Sequence, residues 1–246
     1  MAELYIGGSK VEITHYDVLE STNTFLKEEC KKGAGHYYTV IADRQTGGRG
    51  RLGRSFFSGF GGLYMSFLLK DIDELDIVGV TAAAGVSVAE AIDRVFGVKC
   101  GIKWVNDLVC NGKKVCGILA EGVISDDGKI EGVVVGIGVN IAPDSDFPND
   151  IRDIAGSISD SFTQSGRDAL ATEIINAFDT NFRSDALPQK YRDLSIVIGA
   201  DIKVISPSAA YNATVQGIDD LFGLMITDEN GVRKTLRSGE ISIRMK

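Results

Sequence analysis

Apolar runs in this chain are short and change period repeatedly, as they do where strands and helices alternate. Ser21-Thr22-Asn23-Thr24 offers N-cap side chains ahead of Phe25-Leu26-Lys27-Glu28-Glu29, which predicts a short helix. Tyr37 to Ala42 is rich in aromatic and β-branched residues and predicts a strand, and Leu63 to Leu69 predicts a second. Val80 to Phe96 spaces its alanines, Val88, Ile92 and Val95 near 3.6 and predicts a helix packed on a sheet. Lys129 to Ile141 carries Val133-Val134-Val135-Gly136-Ile137-Gly138-Val139, a buried strand. Beyond a loop from Pro143 to Asp150, Leu170, Ile174, Phe178 and Phe182 fall four apart within Ala169 to Phe182, an amphipathic helix.

The sharpest local signal is Asn111-Gly112 between Ile102 to Cys110 and Lys113 to Glu121, because an Asn-Gly pair supplies the two positive φ angles of a tight hairpin turn. A regular two-residue turn would set Val109 opposite Lys114, Asp107 opposite Cys116 and Lys103 opposite Ala120. Lys103, Asp107 and Lys114 would then share one face, unless a bulge near Asn106 changed the parity. From about Ile196 the texture changes to short strands: Asp201 to Ser206, Tyr211 to Ile218, Leu224 to Thr227, Val232 to Arg237 and Ile241 to Arg244. That predicts an α/β (α+β) protein: a mixed-sheet domain over 1–195 and a small β-barrel over 196–246. No internal repeat or low-complexity tract is visible.

Composition narrows the chemistry. Acidic side chains number 34 against 26 basic ones, a net charge of −8, which argues against general nucleic-acid binding. No apolar run approaches the roughly 18 residues of a membrane span, and Met1 to Tyr5 shows no secretory signal, so a cytoplasmic location is the default expectation. Cys30, Cys100, Cys110 and Cys116 have no C-x-x-C or metal-ligand spacing and read as reduced thiols. Glycine is in excess, 29 of 246 residues. Seven of them (Gly47, Gly48, Gly50, Gly53, Gly59, Gly61, Gly62) lie within sixteen positions, together with Arg49, Arg51 and Arg54 and next to Arg44.

Gly48-Arg49-Gly50-Arg51-Leu52-Gly53 matches G-x-G-x-x-G, and Gly48 to Ser55 is one substitution from a P-loop. Both readings need a helix to begin at the loop, and Arg54-Ser55-Phe56-Phe57-Ser58-Gly59-Phe60-Gly61-Gly62 does not start one. What survives is the chemistry: exposed backbone amides and alternating guanidiniums suit a carboxylate or phosphate. An idle exposed hairpin is the plain alternative, and the concentration of arginines weighs against it.

Taken in order, these residues resemble the biotin protein ligases. The resemblance rests on Ser21-Thr22-Asn23, Gln45 with Gly48 to Arg54, Lys103-Trp104-Val105-Asn106-Asp107, Lys114 with Gly117-Ile118-Leu119, Gly138-Val139-Asn140, and a β-rich tail containing Gly239-Glu240-Ile241-Ser242. Val105 departs from the proline usual at that place in the family. The resemblance implies an SH3-like C-terminal barrel and an ATP-dependent ligase that makes biotinyl-5'-AMP and transfers biotin to a lysine of a biotin carboxyl carrier protein. It implies that Ser21, Thr22, Asn23, Gln45 and Gly117 take the ureido end of biotin, and that Arg49, Gly50, Arg51 and Lys114 take its carboxylate and the α-phosphate. Arg54, Lys103, Asn106 and Asn140 would serve ATP, and Asp107 would orient the acceptor lysine or help place Mg2+, whose ligands stay unassigned. The glycine loop, about Thr46 to Gly62, would order over the adenylate.

Plainer readings stand beside these. Ser21 to Asn23 fits a helix cap, Trp104 a core residue and Asn140 a turn. Some members of the family are also repressors with an N-terminal DNA-binding unit; twenty residues ahead of Ser21 and a charge of −8 lead us to expect a ligase without DNA as a partner. A homodimer is compatible with the resemblance. Two rivals remain: a lipoate or octanoate ligase of the same fold, against which the polar Ser21, Asn23 and Gln45 weigh, and a non-catalytic ligand-binding module, against which the intact cations weigh.

Overall fold

The computed structural model describes residues 4–6, 9–70, 72, 77–149, 151–205 and 210–243. In chain order the elements are β1 (Tyr5–Ile6), β2 (Ser9–Lys10), β3 (Ile13–Leu19), α1 (Thr22–Lys31), β4 (Thr39–Gln45), β5 (Gly62–Leu69), α2 (Ile77–Phe96), β6 (Gly101–Lys103), β7 (Asp107–Cys110), β8 (Lys113–Ile124), β9 (Ile130–Asn140), α3 (Gln164–Phe182), α4 (Leu187–Leu194), β10 (Asp201–Ile205), β11 (Ala210–Ile218), β12 (Leu224–Asp228), β13 (Arg233–Leu236) and β14 (Glu240–Ile243). Asp150, Ser206 and Arg244, which end segments expected from the sequence, lie outside the described residues.

Among the described residues the central sheet has seven strands in the order β3-β4-β5-β9-β8-β7-β6. β3 and β4 run parallel and the other neighbours antiparallel. Side chains of a strand alternate between its two faces, and β9 uses the two faces differently. Val133, Val135, Ile137 and Val139 join the main core with α2 and α3, while Val134 meets Leu26 and Cys30 of α1 on the other side. Gly132, Gly136 and Gly138 share the face of Val134. The sheet is therefore covered by two long helices on one face and by α1 on part of the other, and the rest of that second face is open to form a site.

Local chemistry explains the helices. α1 starts at the expected cap: Ser21 is extended, and its hydroxyl accepts from the Thr24 amide. α2 is apolar nearly all round because it lies between the sheet and α3 and α4. Phe178 of α3 is fully buried, with its ring 4.8 Å from Phe67 and 5.5 Å from Phe182. Thr163 caps α3 by accepting from the Gly166 amide at 3.1 Å. Thr163→Ala should lower stability by about 1 kcal/mol, or roughly 2–4 °C in Tm, in thermal unfolding followed by circular dichroism.

Five antiparallel strands in the order β13-β12-β11-β10-β14 form a second, small sheet where the sequence predicts a barrel. It is joined to the first unit by buried contacts: Trp104 Nε1 donates to Phe222 O at 2.9 Å and Arg192 Nε to Ile218 O at 3.0 Å. Trp104 is thus a core residue and a strut between the sheets. Cys30, Cys100 and Cys116 are buried and Cys110 partly so, all as free thiols. Among the described residues no helix is long and apolar enough to cross a membrane.

Candidate active site

The Asn111-Gly112 turn forms as expected, with φ of 49° and 76°, and Val109 pairs with Lys114. Beyond that pair the expected register is corrected. Val115 is a bulge on β8, so Leu108 pairs with Cys116 and Asp107 with Gly117, not Cys116. Lys103 does not reach Ala120 at all: the chain turns at Trp104 to Asn106 and brings Lys103 opposite Asp107. At the bulge the edge of β8 is taken by another segment: the Lys114 amide donates to Ile154 O and its carbonyl accepts from Gly156, both at 2.8 Å. Lys103, Asp107 and Lys114 still point into one space.

That space is a cavity of about 780 Å3 over the open face of the sheet. Its closed end is a polar network at the start of α1. Gln45 Oε1 accepts from the Thr22 amide at 2.8 Å, and Gln45 Nε2 donates to Ser58 Oγ at 2.8 Å. Ser66 Oγ lies 2.7 Å from Thr22 Oγ1 and 2.6 Å from Asn23 Oδ1. Asn23 Nδ2 donates to Leu119 O at 3.2 Å and to Glu121 Oε2 at 2.9 Å. Ser21, Thr22 and Asn23 are buried; Ser21 caps α1, and all three line the cavity.

The floor is glycine. A Cβ on Gly136 would lie 2.0 Å from Asn23 Oδ1, and one on Gly138 would lie 2.5 Å from the Phe56 ring. Gly117 opposes Gly138 across β8 and β9. Only bare backbone lets α1 and Phe56 sit so low over the sheet.

The other end is cationic. No helix starts in the glycine loop: Arg49 bridges to Ser55, Arg51–Gly53 make a single 3-10 turn, and Arg54 returns to extended backbone. The folded-back loop places Arg49, Gly50, Arg51 and Arg54 on the cavity. Arg51 Nη1 donates to Asn106 Oδ1 at 3.3 Å and reaches Gly239 O of the second sheet at 3.5 Å. Asn106 is held in turn by Nδ2 donating to Ile118 O at 2.9 Å. Tyr191 Oη donates to Val105 O at 3.1 Å, steadying the same turn, whose Trp104–Val105 peptide is cis.

Lys114 Nζ stands 2.6 Å from Asp107 Oδ1 and 5.9 Å from the centre of the Phe56 ring. The angles of that ion pair do not make a hydrogen bond, which leaves Asp107 Oδ1 a buried acceptor with spare capacity.

Of the residues expected from the sequence, Ser21, Thr22, Asn23, Gln45, Arg49, Gly50, Arg51, Arg54, Lys103, Asn106, Asp107, Lys114 and Gly117 all line this cavity. Asn140 does not. It is buried at the end of β9, and its Nδ2 donates to Gly156 O at 3.0 Å, so it braces the loop that also holds Lys114. Phe56, Gly136 and Gly138 also line the cavity, and Ser66 and Glu121 stand behind it on Asn23; of these only Gly138 falls in a motif read from the sequence. Glycines two apart in a β-branched strand are the readable signal among them.

Known proteins resemble this chain in sequence and in fold. Residues 16–140 match the biotin/lipoate A/B protein ligase family. The bifunctional ligase/repressor BirA of Bacillus subtilis (strain 168) is 31% identical over 233 residues, covering 90% of this chain and 71% of that protein. The biotin--[acetyl-CoA-carboxylase] ligase of Mycobacterium tuberculosis is 27% identical over 235 residues, covering 90% and 85%. The biotin protein ligase from Aquifex aeolicus, solved in complex with biotin and ATP, superposes with a TM-score of 0.80 at 27% identity, covering 96% of this chain and 99% of that one.

Proposed function

The chain belongs to the biotin/lipoate A/B protein ligase family, and from that premise we propose that its cavity activates biotin with ATP and passes the biotinyl group to a lysine of a carrier protein. One observation carries the reading: a single cavity joins a hydrogen-bonding closed end, built from Thr22, Asn23 and Gln45, to a cationic end built from Arg49, Arg51, Lys103 and Lys114. A ureido ring matches the first and a carboxylate beside a triphosphate matches the second. The catalytic unit is 1–195, and 196–246 supports it through Trp104 and Arg51.

The chemistry follows from charge. In the first step the biotin carboxylate oxygen attacks the α-phosphorus, a C–O–P bond forms, and pyrophosphate leaves. Both reactants are anions, so rate comes from cations that hold and neutralise them. Lys114, fixed by Asp107, bridges carboxylate and α-phosphate; Arg49 and Arg51 close over them, and Arg54, Lys103 and Asn106 steady the nucleotide. Gly50 and Gly117 offer backbone close to the acid.

Mg2+ fits this site as an ion carried on the nucleotide. Among the described residues no group of three His, Cys, Asp or Glu forms a cage, and Mg2+ commonly binds through one or two carboxylates plus substrate phosphates. Asp107, with its underused Oδ1, and Asp153 at the rim are the carboxylates available. When bound, the ion neutralises the departing pyrophosphate.

In the second step the acceptor lysine's neutral amine attacks the carboxyl carbon of the mixed anhydride. A C–N bond forms, the C–O bond to phosphate breaks, AMP leaves, and one amine proton is released. Asp107 orients that amine, and the loop keeps water from the anhydride. The repressor half of the Bacillus name is not carried over, because a net charge of −8 suits phosphate neutralisation poorly. Tight, sequence-specific retardation of a DNA duplex by this chain would overturn that part.

The deciding experiment incubates the protein with a biotin carboxyl carrier domain, biotin and MgATP and weighs the carrier. One added biotinyl group on one lysine is expected. A lipoyl adduct from lipoate but not biotin would favour the other branch of the family, and no adduct from either would sink the ligase reading.

A further inference from the structure

Glu121 does not line the cavity, yet it is tied to a residue that does. It sits on β8 two residues beyond Leu119, partly buried, with Oε2 accepting from Asn23 Nδ2 at 2.9 Å and Oε1 2.6 Å from Lys27 Nζ. The acceptors around Asn23 decide which way its amide points. A backbone carbonyl (Leu119 O) and a carboxylate (Glu121) can only accept, so the atom facing them is the NH2 group, and together they use both of its hydrogens. Ser66 donates to Oδ1 on the other side at 2.6 Å. What Asn23 has left for a ligand is the second lone pair of Oδ1. At this end of the cavity Asn23 can only accept.

Glu121 is the side chain in that arrangement that the sequence could change without touching the cavity. Burial pushes its carboxyl up, but the hydrogen bond from Asn23, the Lys27 ammonium and the nearby Arg49 outweigh it and hold the group below the ordinary carboxylate range. It stays ionised and accepts only.

We propose that Glu121 is a positioning residue that fixes the polarity of Asn23 and so makes the closed end of the cavity select ligands presenting an N–H donor. The proposal rests on the biotin reading, in which Asn23 meets the ureido group, and it adds a residue to specificity that makes no contact with the ligand.

The test is Glu121→Gln, read by steady-state kinetics with biotin, with ATP, and with a biotin analogue methylated on the ureido nitrogens. A glutamine beside Lys27 turns its oxygen toward the ammonium and its NH2 toward Asn23, which then turns over and presents a donor. KM for biotin should rise about tenfold, the size of one hydrogen bond made wrongly. KM for ATP should stay within twofold, and the preference for biotin over the methylated analogue should shrink. The double variant Lys27→Met, Glu121→Gln frees the glutamine oxygen for Asn23 and should recover most of the loss, which a merely structural role would not allow. A biotin KM within twofold of wild type, or no recovery in the double variant, overturns the proposal. Wild-type protein that does not turn over biotin overturns the ligase reading instead.

Discussion

Replacing Lys114 with alanine should lower biotin-dependent exchange of pyrophosphate into ATP by about a thousandfold, the scale seen when one preorganised charge is removed from a reacting anion. Lys114 is the cation best placed to meet both reactants: its ammonium is pinned 2.6 Å from Asp107 and lies over the Phe56 ring, and its backbone is clamped on both sides by Ile154 and Gly156. Little reorganisation is left to perform when substrates arrive. The variant also strands the Asp107 carboxylate, whose Oδ1 is buried, so the unfolding midpoint must be measured beside the rate. Lys114→Ala combined with Asp107→Asn removes that stranded charge. If exchange remains within tenfold of wild type in a folded Lys114→Ala protein, the assignment of Lys114 to the first step is wrong.

Gly136→Ala should weaken biotin binding and stability together, by a different route. The new methyl group would have to lie 2.0 Å from Asn23 Oδ1 and 2.7 Å from Asn23 Cγ, so one of them moves. An asparagine side chain is ordinarily easy to displace. This one is held by Ser66, Leu119 and Glu121, and swinging it away gives up those three hydrogen bonds at about 1 kcal/mol each. Those bonds are lost with or without ligand and so lower the unfolding midpoint, while the dissociation constant for biotin should rise about tenfold, the worth of the one contact Asn23 makes with it, with that for ATP little changed. Titration calorimetry checks both numbers, and unchanged biotin affinity would show that the methyl group is absorbed by the sheet, not by Asn23.

How far the sequence foretells this molecule depends on how far apart the interacting residues lie along the chain. Ser21 as a cap and Asn111-Gly112 as a turn are decided within a few residues, and both appear as read. The pairing of Asp107 with Gly117 is not local in that sense: the bulge at Val115 accompanies hydrogen bonds from a loop some forty residues further on. The shared face of Lys103, Asp107 and Lys114 was nevertheless readable, because the tight turn between Trp104 and Asn106 returns Lys103 to it by another path. Asn140 stands off the cavity lining for a related reason, since nothing near it in sequence says that its amide turns toward Gly156. Glu121 and Ser66 reach Asn23 across 98 and 43 positions, and no periodicity marks them.

β9 lets cavity shape and fold stability be varied largely separately. Its odd positions hold valines and the isoleucine of the main core, and a Cβ at its even positions 136 or 138 would run into Asn23 or Phe56 on the cavity side. A library that randomises residues 138 and 56 together would reshape the cavity floor while leaving the main core and the hydrogen bonds of Asn23 in place. One that randomises 133, 135 and 139, which lie in the core and off the cavity, would return variants sorted by folding. One strand of eleven residues thus carries the cavity floor on one face and core on the other, with Ile137 serving both.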